Sequence, residues 1–597
     1  MKVKKALLSV SDKTGIIDFA RALDDLGIEI LSTGGTSKVL KDNGIRVKDV
    51  SEYTGFPEIM NGRVKTLHPK IHGGILCVRN NDLHIDEAEI NSIELIDLVV
   101  VNLYPFEEVA AKDESSLDEI IENIDIGGPA MIRSAAKNFN HVIVVTDPND
   151  YGSVLEGISK RGDFPLETRK KLALKAFGLT SNYDFAIEKK LMQLFEDKSI
   201  DRIKLFDIKK MGRYAENWHQ SGFFAKTTLE DSSGIIGSEK LNGPDLGYNN
   251  YLDVSFAYKL TSEFPKDVNC VAIIKHGNPC GLAVGKSMLN SLERAWQGDS
   301  ISAFGSVISC NNEFNLEMAY AISERINSVG KKGWFVEIIS APEFSKEALD
   351  YLRMKKTKKN LRLLKVNKDN MDNSIEYRSI SGGIIAQEPD KRLFLTDSID
   401  ELFMPSFKKY DEKSGIERVV GIVSDKISEK NSKRLFEFSW IAVKYIHSNA
   451  ICIAREYSPE CFQILGMGSG QPNRKDSTIR LALAKARENL IDEYEFLCGK
   501  DKKYLSAILH SEKERLESMK DEVSGMSLNE YIERELSKCV LASDAFFPFE
   551  DGIIPALDSG IKRFIQPGGS VGDKRIIDTI NRYKAEMIFT GMRHFLH

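Results

Sequence analysis

Within the first 150 residues, four short apolar runs alternate with amphipathic stretches, and this alternation restricts the fold more than any other feature. KKALLSV (4–10), IEILSTG (28–34), DLVVVNLYPF (97–106) and HVIVVTD (141–147) are short and rich in β-branched residues, the pattern of buried strands. IIDFARALDDLG and SKVLKDNG between them read as helices that stop at glycine. SLDEIIENIDIGGPAMIRSAAKN (116–138) reads as helical at both ends with a Gly-Gly-Pro break between. Strands alternating with helices predict an α/β fold, a parallel sheet covered by helices, with ligands beyond the carboxyl ends of the strands.

At 597 residues the chain exceeds what one core organises, so two or more domains are expected. A net charge of −6 argues against a nucleic-acid partner, yet leaves room for an anionic small molecule in a local basic pocket. The amino-terminal residues lack the apolar run of a secretory signal, and no stretch approaches the roughly 18 apolar residues of a membrane span. The eight cysteines include no CxxC pair and are expected as reduced thiols. These readings predict a cytoplasmic chain with no membrane partner. Residues 165–197 predict a long helix joining two domains, and 485–539, highly charged with few turn signals, predict a solvated helical insertion.

Two loops at strand ends carry phosphate-binding chemistry. Ser11, Asp12 and Lys13 lie in SVSDKTG just before a helix, and Thr33, Gly34, Gly35 and Thr36 offer backbone N–H groups that glycine lets a ligand approach. Either loop alone is as readily an ordinary βα turn; two in tandem favour an anion site. Arg63, Lys65 and Thr66 follow in a polar loop, Asn102 and Tyr104 end an apolar strand, and Asp125, Arg133 and Lys137 bring further charge.

Together the runs SVSDKTG, STGGT, GFPEIMNGRVKTLHP, NLYPF and IDIGGPAMIRSAAKN resemble one family. It is that of the bifunctional purine-biosynthesis proteins, which join a phosphoribosylaminoimidazolecarboxamide formyltransferase to an IMP cyclohydrolase. The resemblance implies a methylglyoxal-synthase-like wound parallel sheet over 1–198. It implies Lys65, Tyr104, Asp125 and Lys137 as the ring-closing residues, and Ser11, Asp12, Lys13, Thr33 to Thr36, Arg63, Thr66 and Asn102 as the nucleotide-binding set. An alternative keeps this domain as a nucleotide-sensing module beside a monofunctional formyltransferase.

The sharpest feature downstream is IIKHGNPCG (273–281), a buried strand ending in Lys275 and His276 before an Asn-Pro turn. A partly desolvated lysine beside an imidazole exchanges protons near neutrality. GMGSGQ lacks the third glycine and the acidic partner of a dinucleotide loop, and Pro279-Cys280 lacks the HxE and second cysteine of a zinc deaminase, so no metal is expected. KHGNPCG and further runs to the carboxyl end again resemble the formyltransferase half. The resemblance implies, over 199–597, two related cytidine-deaminase-like units, 10-formyltetrahydrofolate as co-substrate and a homodimer. His276 is then the base, Lys275 the oxyanion partner and Asn449 an orienting group. Arg213, Tyr214, Asn250, Gly305, Glu337, Arg474, Phe546, Arg593 and His597 are implied on the ribotide side, and Lys475, Asp551, Ser570 and Val571 on the folate side. One run departs from the family's pattern: RYAENWHQ (213–220) has Ala215 and Trp218 where glycine and proline are usual, which puts that loop's geometry in question.

Overall fold

The computed structural model describes residues 2–104, 106, 116–161, 164–195, 206–226, 234–327, 331–367, 375–426, 432–500, 505 and 508–597. The chain forms two compact units, Met1–Ile203 and Lys204–His597; the expected 198/199 boundary falls outside the described residues.

In the first unit β1 (Lys5–Ser9), α1 (Ile16–Asp25), β2 (Glu29–Ser32), α2 (Gly34–Asp42), β3 (Lys48–Asp49), β4 (Leu98–Val101), α3 (Gly127–Lys137), β5 (Ile143–Val145) and α4 (Leu166–Leu194) build a five-stranded sheet. Its order is β3-β2-β1-β4-β5 and every pair is parallel. Leu7, Leu8, Leu31, Val99 and Val144 are buried on a sheet covered by helices on both faces, so the strands read as continuous apolar runs. Gly127-Gly128-Pro129 is not a break. These residues form the first turn of α3, where proline is tolerated because its missing N–H has no intrahelical partner. The long helix α4 packs on α3 and β5 within this unit.

The second unit is organised by a 13-stranded sheet and two hairpins. The hairpins are β6 (Phe206–Tyr214) with β7 (Ser221–Lys226), and β14 (Glu376–Ile380) with β15 (Gly383–Gln387). One half of the large sheet runs β8 (Glu239–Asn242), α5 (Tyr248–Ser262), β9 (Asn269–Lys275), β10 (Asn278–Gly285), α6 (Met288–Gly298), β11 (Ser306–Cys310), α7 (Leu316–Glu324), β12 (Val336–Ala341), α8 (Lys346–Met354) and β13 (Arg362–Lys365). The other, entered through β16 (Phe407–Asp411), repeats that order: β17 (Ile416–Ile422), α9 (Lys433–Lys444), β18 (Ile451–Ser458), β19 (Cys461–Gly468), α10 (Ala484–Leu497), α11 (Lys513–Val523), α12 (Leu528–Ser537), β20 (Val540–Ser543), α13 (Ile554–Asp558), β21 (Arg563–Gln566), α14 (Asp573–Arg582) and β22 (Glu586–Phe589).

Read outward from the central antiparallel pair β10–β19, the strand orders β10-β9-β11-β12-β13-β8 and β19-β18-β20-β21-β22-β17 have the same pairing sense at every step. Val271 and Ile273 pack into one core, and Cys270, Ala272 and Ile274 into the other, so the sheet is buried on both faces.

The charged segment 485–539 corrects the solvated reading. Leu490, Leu497, Leu516, Tyr531 and Leu536 enter the core, and Glu493, Glu512 and Glu535 are buried against Arg455 and Arg294. Its charges are thus divided between the outer faces and a buried ion network that ties the segment to the sheet. Arg455 lies 2.6 Å from Glu493 and 3.3 Å from Glu535. Arg455→Met removes the nearest cation from Glu493, which keeps only Arg294 at 3.8 Å, and one of several from Glu535, which keeps Lys538 at 2.6 Å, and should destabilise this unit by about 3 kcal/mol. All four tryptophans (218, 296, 334 and 440) lie in this unit, so its denaturant midpoint is read directly by tryptophan fluorescence.

Candidate active sites

At the carboxyl ends of β1, β2 and β4 a cavity of about 660 Å³ is lined by Ser11, Lys13, Thr33 to Thr36, Arg63, Lys65, Thr66, Asn102, Tyr104, Asp125, Gly127 and Gly128. The loop after β1 is closed by the Asn102 side chain, whose Oδ1 accepts from the N–H groups of Ser11 (2.5 Å) and Asp12 (3.0 Å). Thr36 Oγ1 accepts from Val10 N at 3.1 Å, so the two phosphate-type loops are fastened to each other. Thr33 is extended and Gly34 opens α2, which leaves the first-turn N–H groups facing the cavity for an anion.

Lys65 lies 3.4 Å from Glu58, and its Nζ would be 3.6 Å from a β-carbon on Gly34. Asp125 Oδ1 accepts from Gly128 N at 2.9 Å; burial raises its carboxyl while the Gly127 and Gly128 N–H groups and Lys65 oppose the rise. Tyr183 of α4 holds Asp125 from behind, its hydroxyl accepting from Asp125 N at 2.7 Å. Tyr104 is exposed at the cavity mouth. The result is a cation, a phenol and a carboxyl of raised affinity for protons around one anion-binding end.

Two residues sit otherwise than expected, and a third is paired. Lys137 is the exposed last residue of α3, about 15 Å along the axis from Gly127, and does not line the cavity. Asp12 turns back on its own loop, accepting from Thr14 N (2.9 Å) and Thr14 Oγ1 (2.6 Å), which lowers its carboxyl. Arg63 is paired with Glu122.

In the second unit the β9–β10 hairpin closes through His276 (φ 52°) and Gly277 (φ 69°), so the turn is His-Gly and the Asn-Pro pair begins β10. Lys275 Nζ donates to Phe304 O at 2.6 Å beside Gly305, where Phe304 and Phe335 pack ring to ring. Asn250, at the start of α5, donates to Glu337 at 3.0 Å. Asp253, one turn further along, accepts from Gly277 N at 2.8 Å.

Asn278 links this hairpin to the start of β18, its Oδ1 receiving Ser469 Oγ (2.6 Å) and His447 N (3.3 Å). Asn449 donates to Gln471 O at 2.9 Å, and its own carbonyl accepts from Ser477 at 2.7 Å. The carboxyl-terminal tail docks here: Ser448 N donates to Leu596 O (2.8 Å), and Leu596 N to Ser448 Oγ (3.2 Å). Arg593 lies over the Phe595 ring, and the His597 ring is tilted against it with centroids 5.5 Å apart.

Arg474 is buried and committed internally, to Asp544 (2.7 Å) and the Phe546 carbonyl (3.1 Å), so it braces the loop carrying Phe546. Lys475 pairs with Asp551 at 3.2 Å, and Ser570 and the fully exposed Val571 follow Gly568 and Gly569, both at positive φ. The side chains of Arg213 and Tyr214 lie outside those described. Their loop closes without glycine or proline, through Ala215 N to Gln220 O (3.1 Å) and Gln220 N to Asn217 O (3.0 Å), and neither Ala215 nor Trp218 needs a positive φ.

Sequence reasoning gave no role to Asp253, His447 or Asp544. The spacing of Asn250 and Asp253 on one helix face was the available signal for the first. Nothing local marks the others, whose partners are distant in the chain. Among the described residues no group of three or more His, Cys, Asp or Glu is placed to hold a metal ion.

A family model described as AICARFT/IMPCHase bienzyme matches residues 135–485, and one described as MGS-like domain matches 15–130. The chain belongs to the AICARFT/IMPCHase bienzyme family. Relatives named bifunctional purine biosynthesis protein PurH, from Persephonella marina, Caldicellulosiruptor saccharolyticus and Bacillus cytotoxicus, are 40%, 39% and 38% identical over 100% of this chain and 100% of their own. The MGS-like sheet carries the first cavity, and the bienzyme match spans the Lys275-His276 hairpin and the 447–471 segment that meets it.

A methyl on Gly128 would overlap the Asp125 carboxylate. Gly128→Ala should therefore displace Asp125 and slow the chemistry of the first cavity about 100-fold, the order expected when a reacting group is moved by about an ångström. Steady-state turnover at the two sites, measured separately, should show the second unchanged.

Proposed function

We propose that the second unit transfers a formyl group from 10-formyltetrahydrofolate to the amine of aminoimidazole carboxamide ribotide, and that the first closes the formylated product to inosine monophosphate. The observation that carries this reading is one built polar site in each unit of a chain whose full-length relatives are named bifunctional.

The ribotide amine is a weak nucleophile. As its nitrogen attacks the formyl carbon, His276 takes the amine proton, and Lys275 faces the oxygen that gains negative charge; preorganised donors of that kind are worth roughly 3–4 kcal/mol. The C–N10 bond then breaks and N10 leaves with a proton. Asn250, Glu337 and Gly305 border the ribotide, Arg593 and the tail its charged end, and Lys475, Asp551 and Ser570 the folate. In the first unit the carboxamide nitrogen attacks the formyl carbon and the carbonyl oxygen departs as water. Lys65, Tyr104 and Asp125 move the protons, and holding the arm folded back supplies much of the rate. Thr33 to Thr36 and Lys13 hold the phosphate.

The matching strand orders of the two halves of the second unit support their descent from one cytidine-deaminase-like unit. The protein is read as a cytoplasmic homodimer with small-molecule partners only. No helix among the described residues is long and apolar enough to cross a membrane.

His276→Ala should lower formyl transfer by roughly 10²–10⁴, the usual worth of a general base, and leave ring closure of the purified formylated intermediate intact. Transfer within about tenfold of wild type in a folded variant would remove His276 from the role.

A further inference from the structure

The turn that presents His276 is held by a residue with no assigned part in the reaction. A histidine at φ 52° occupies the left-handed region, where a β-carbon is crowded and the conformation persists only if its surroundings impose it. Two consecutive positive-φ residues aim successive N–H groups to one side, forming a concave anion site. Asp253 fills it. Its Oδ1 accepts from Gly277 N at 2.8 Å, and the His276 N–H stands beside the same carboxylate. Asp253 is half-buried, one helical turn after Asn250 on α5, so one face of that helix bears both a ribotide-side group and the clamp on the turn.

We propose that Asp253 is the positioning residue of the formyltransferase site: its carboxyl group locks the His276–Gly277 turn by accepting from the backbone N–H of Gly277. The proposal rests on His276 being the base of formyl transfer. Burial raises the Asp253 carboxyl, whereas the two N–H groups and the charge of His276 oppose the rise, and Glu337 adds to it. The other charged or titratable groups around the turn are Lys275 on its own strand, His447 behind Gly277, and beyond it Arg378 and His597.

Asp253→Asn keeps an oxygen that accepts from Gly277 N, so the turn survives; Asp253→Ala loses the acceptor. Rescue by the conservative variant therefore distinguishes a held turn from a general loss of packing.

The test compares wild type, Asp253→Asn and Asp253→Ala in the full-length protein, with ring closure of the formylated intermediate as internal control. Wild type must first form formylated ribotide from ribotide and 10-formyltetrahydrofolate; if it does not, the functional reading fails before this one is reached. Asp253→Asn should keep the ribotide KM within about twofold and kcat within about tenfold of wild type, because an acceptor for the turn remains. Asp253→Ala should lower kcat about 100-fold through the misplaced turn. A folded Asp253→Asn as slow as expected of Asp253→Ala, or wild-type turnover in Asp253→Ala, overturns the proposal. If Asp253→Ala does not fold, the Asn variant alone decides.

Discussion

Two consecutive residues at positive φ, His276 and Gly277, close the β9–β10 hairpin, and the candidate site of the second unit is gathered around that turn. Glycine suits position 277, where any other residue would be strained. Its φ is 69°, and a β-carbon there would stand 3.1 Å from His447 Nε2. The residue after it, Asn278, then reaches across the centre of the sheet to Ser469 and His447, in the other half of the unit. The tail joins at Ser448, and Asp544 ties Ser448 to Arg474. The site is therefore a seam between two similarly wound halves, and each half contributes the loop that the other lacks.

Much of this was legible in the sequence, for physical reasons that differ by element. In the first unit the strands are buried on both sides and the ligand loops follow them directly, so apolar runs ending in Ser, Thr and Gly mark both sheet and cavity. Gly-Gly-Pro misled because glycine and proline are breakers inside a helix but acceptable in its first turn. Lys137 stands apart from Asp125 because a helix separates residues of one short motif: ten residues carry it to the far end of α3. Asp253 and Asp544 act through partners 24 and 96 residues away, which no local pattern reveals.

The segment 485–539 shows why composition alone is a poor guide to exposure. A charge is tolerated inside only when paired, and here Glu493, Glu512 and Glu535 meet arginines that project from β18 and α6. Those arginines belong to stretches with no obvious link to the segment, so the pairing is invisible until the sheet is formed. In the 213–220 run the opposite holds: Ala215 and Trp218 depart from the family's pattern, yet backbone bonds close the loop without help from glycine or proline.

The central claim is that two independent sites, one per unit, act in succession on one substrate. It is tested most directly by complementation. His276→Ala and Lys65→Ala proteins are supplied, separately and mixed, with ribotide and 10-formyltetrahydrofolate, and inosinate is followed over time. The account predicts no inosinate from His276→Ala alone, accumulation of formylated ribotide with Lys65→Ala alone, and restored inosinate in the mixture. Loss of both half-reactions in either folded single variant, or no recovery on mixing, would contradict it.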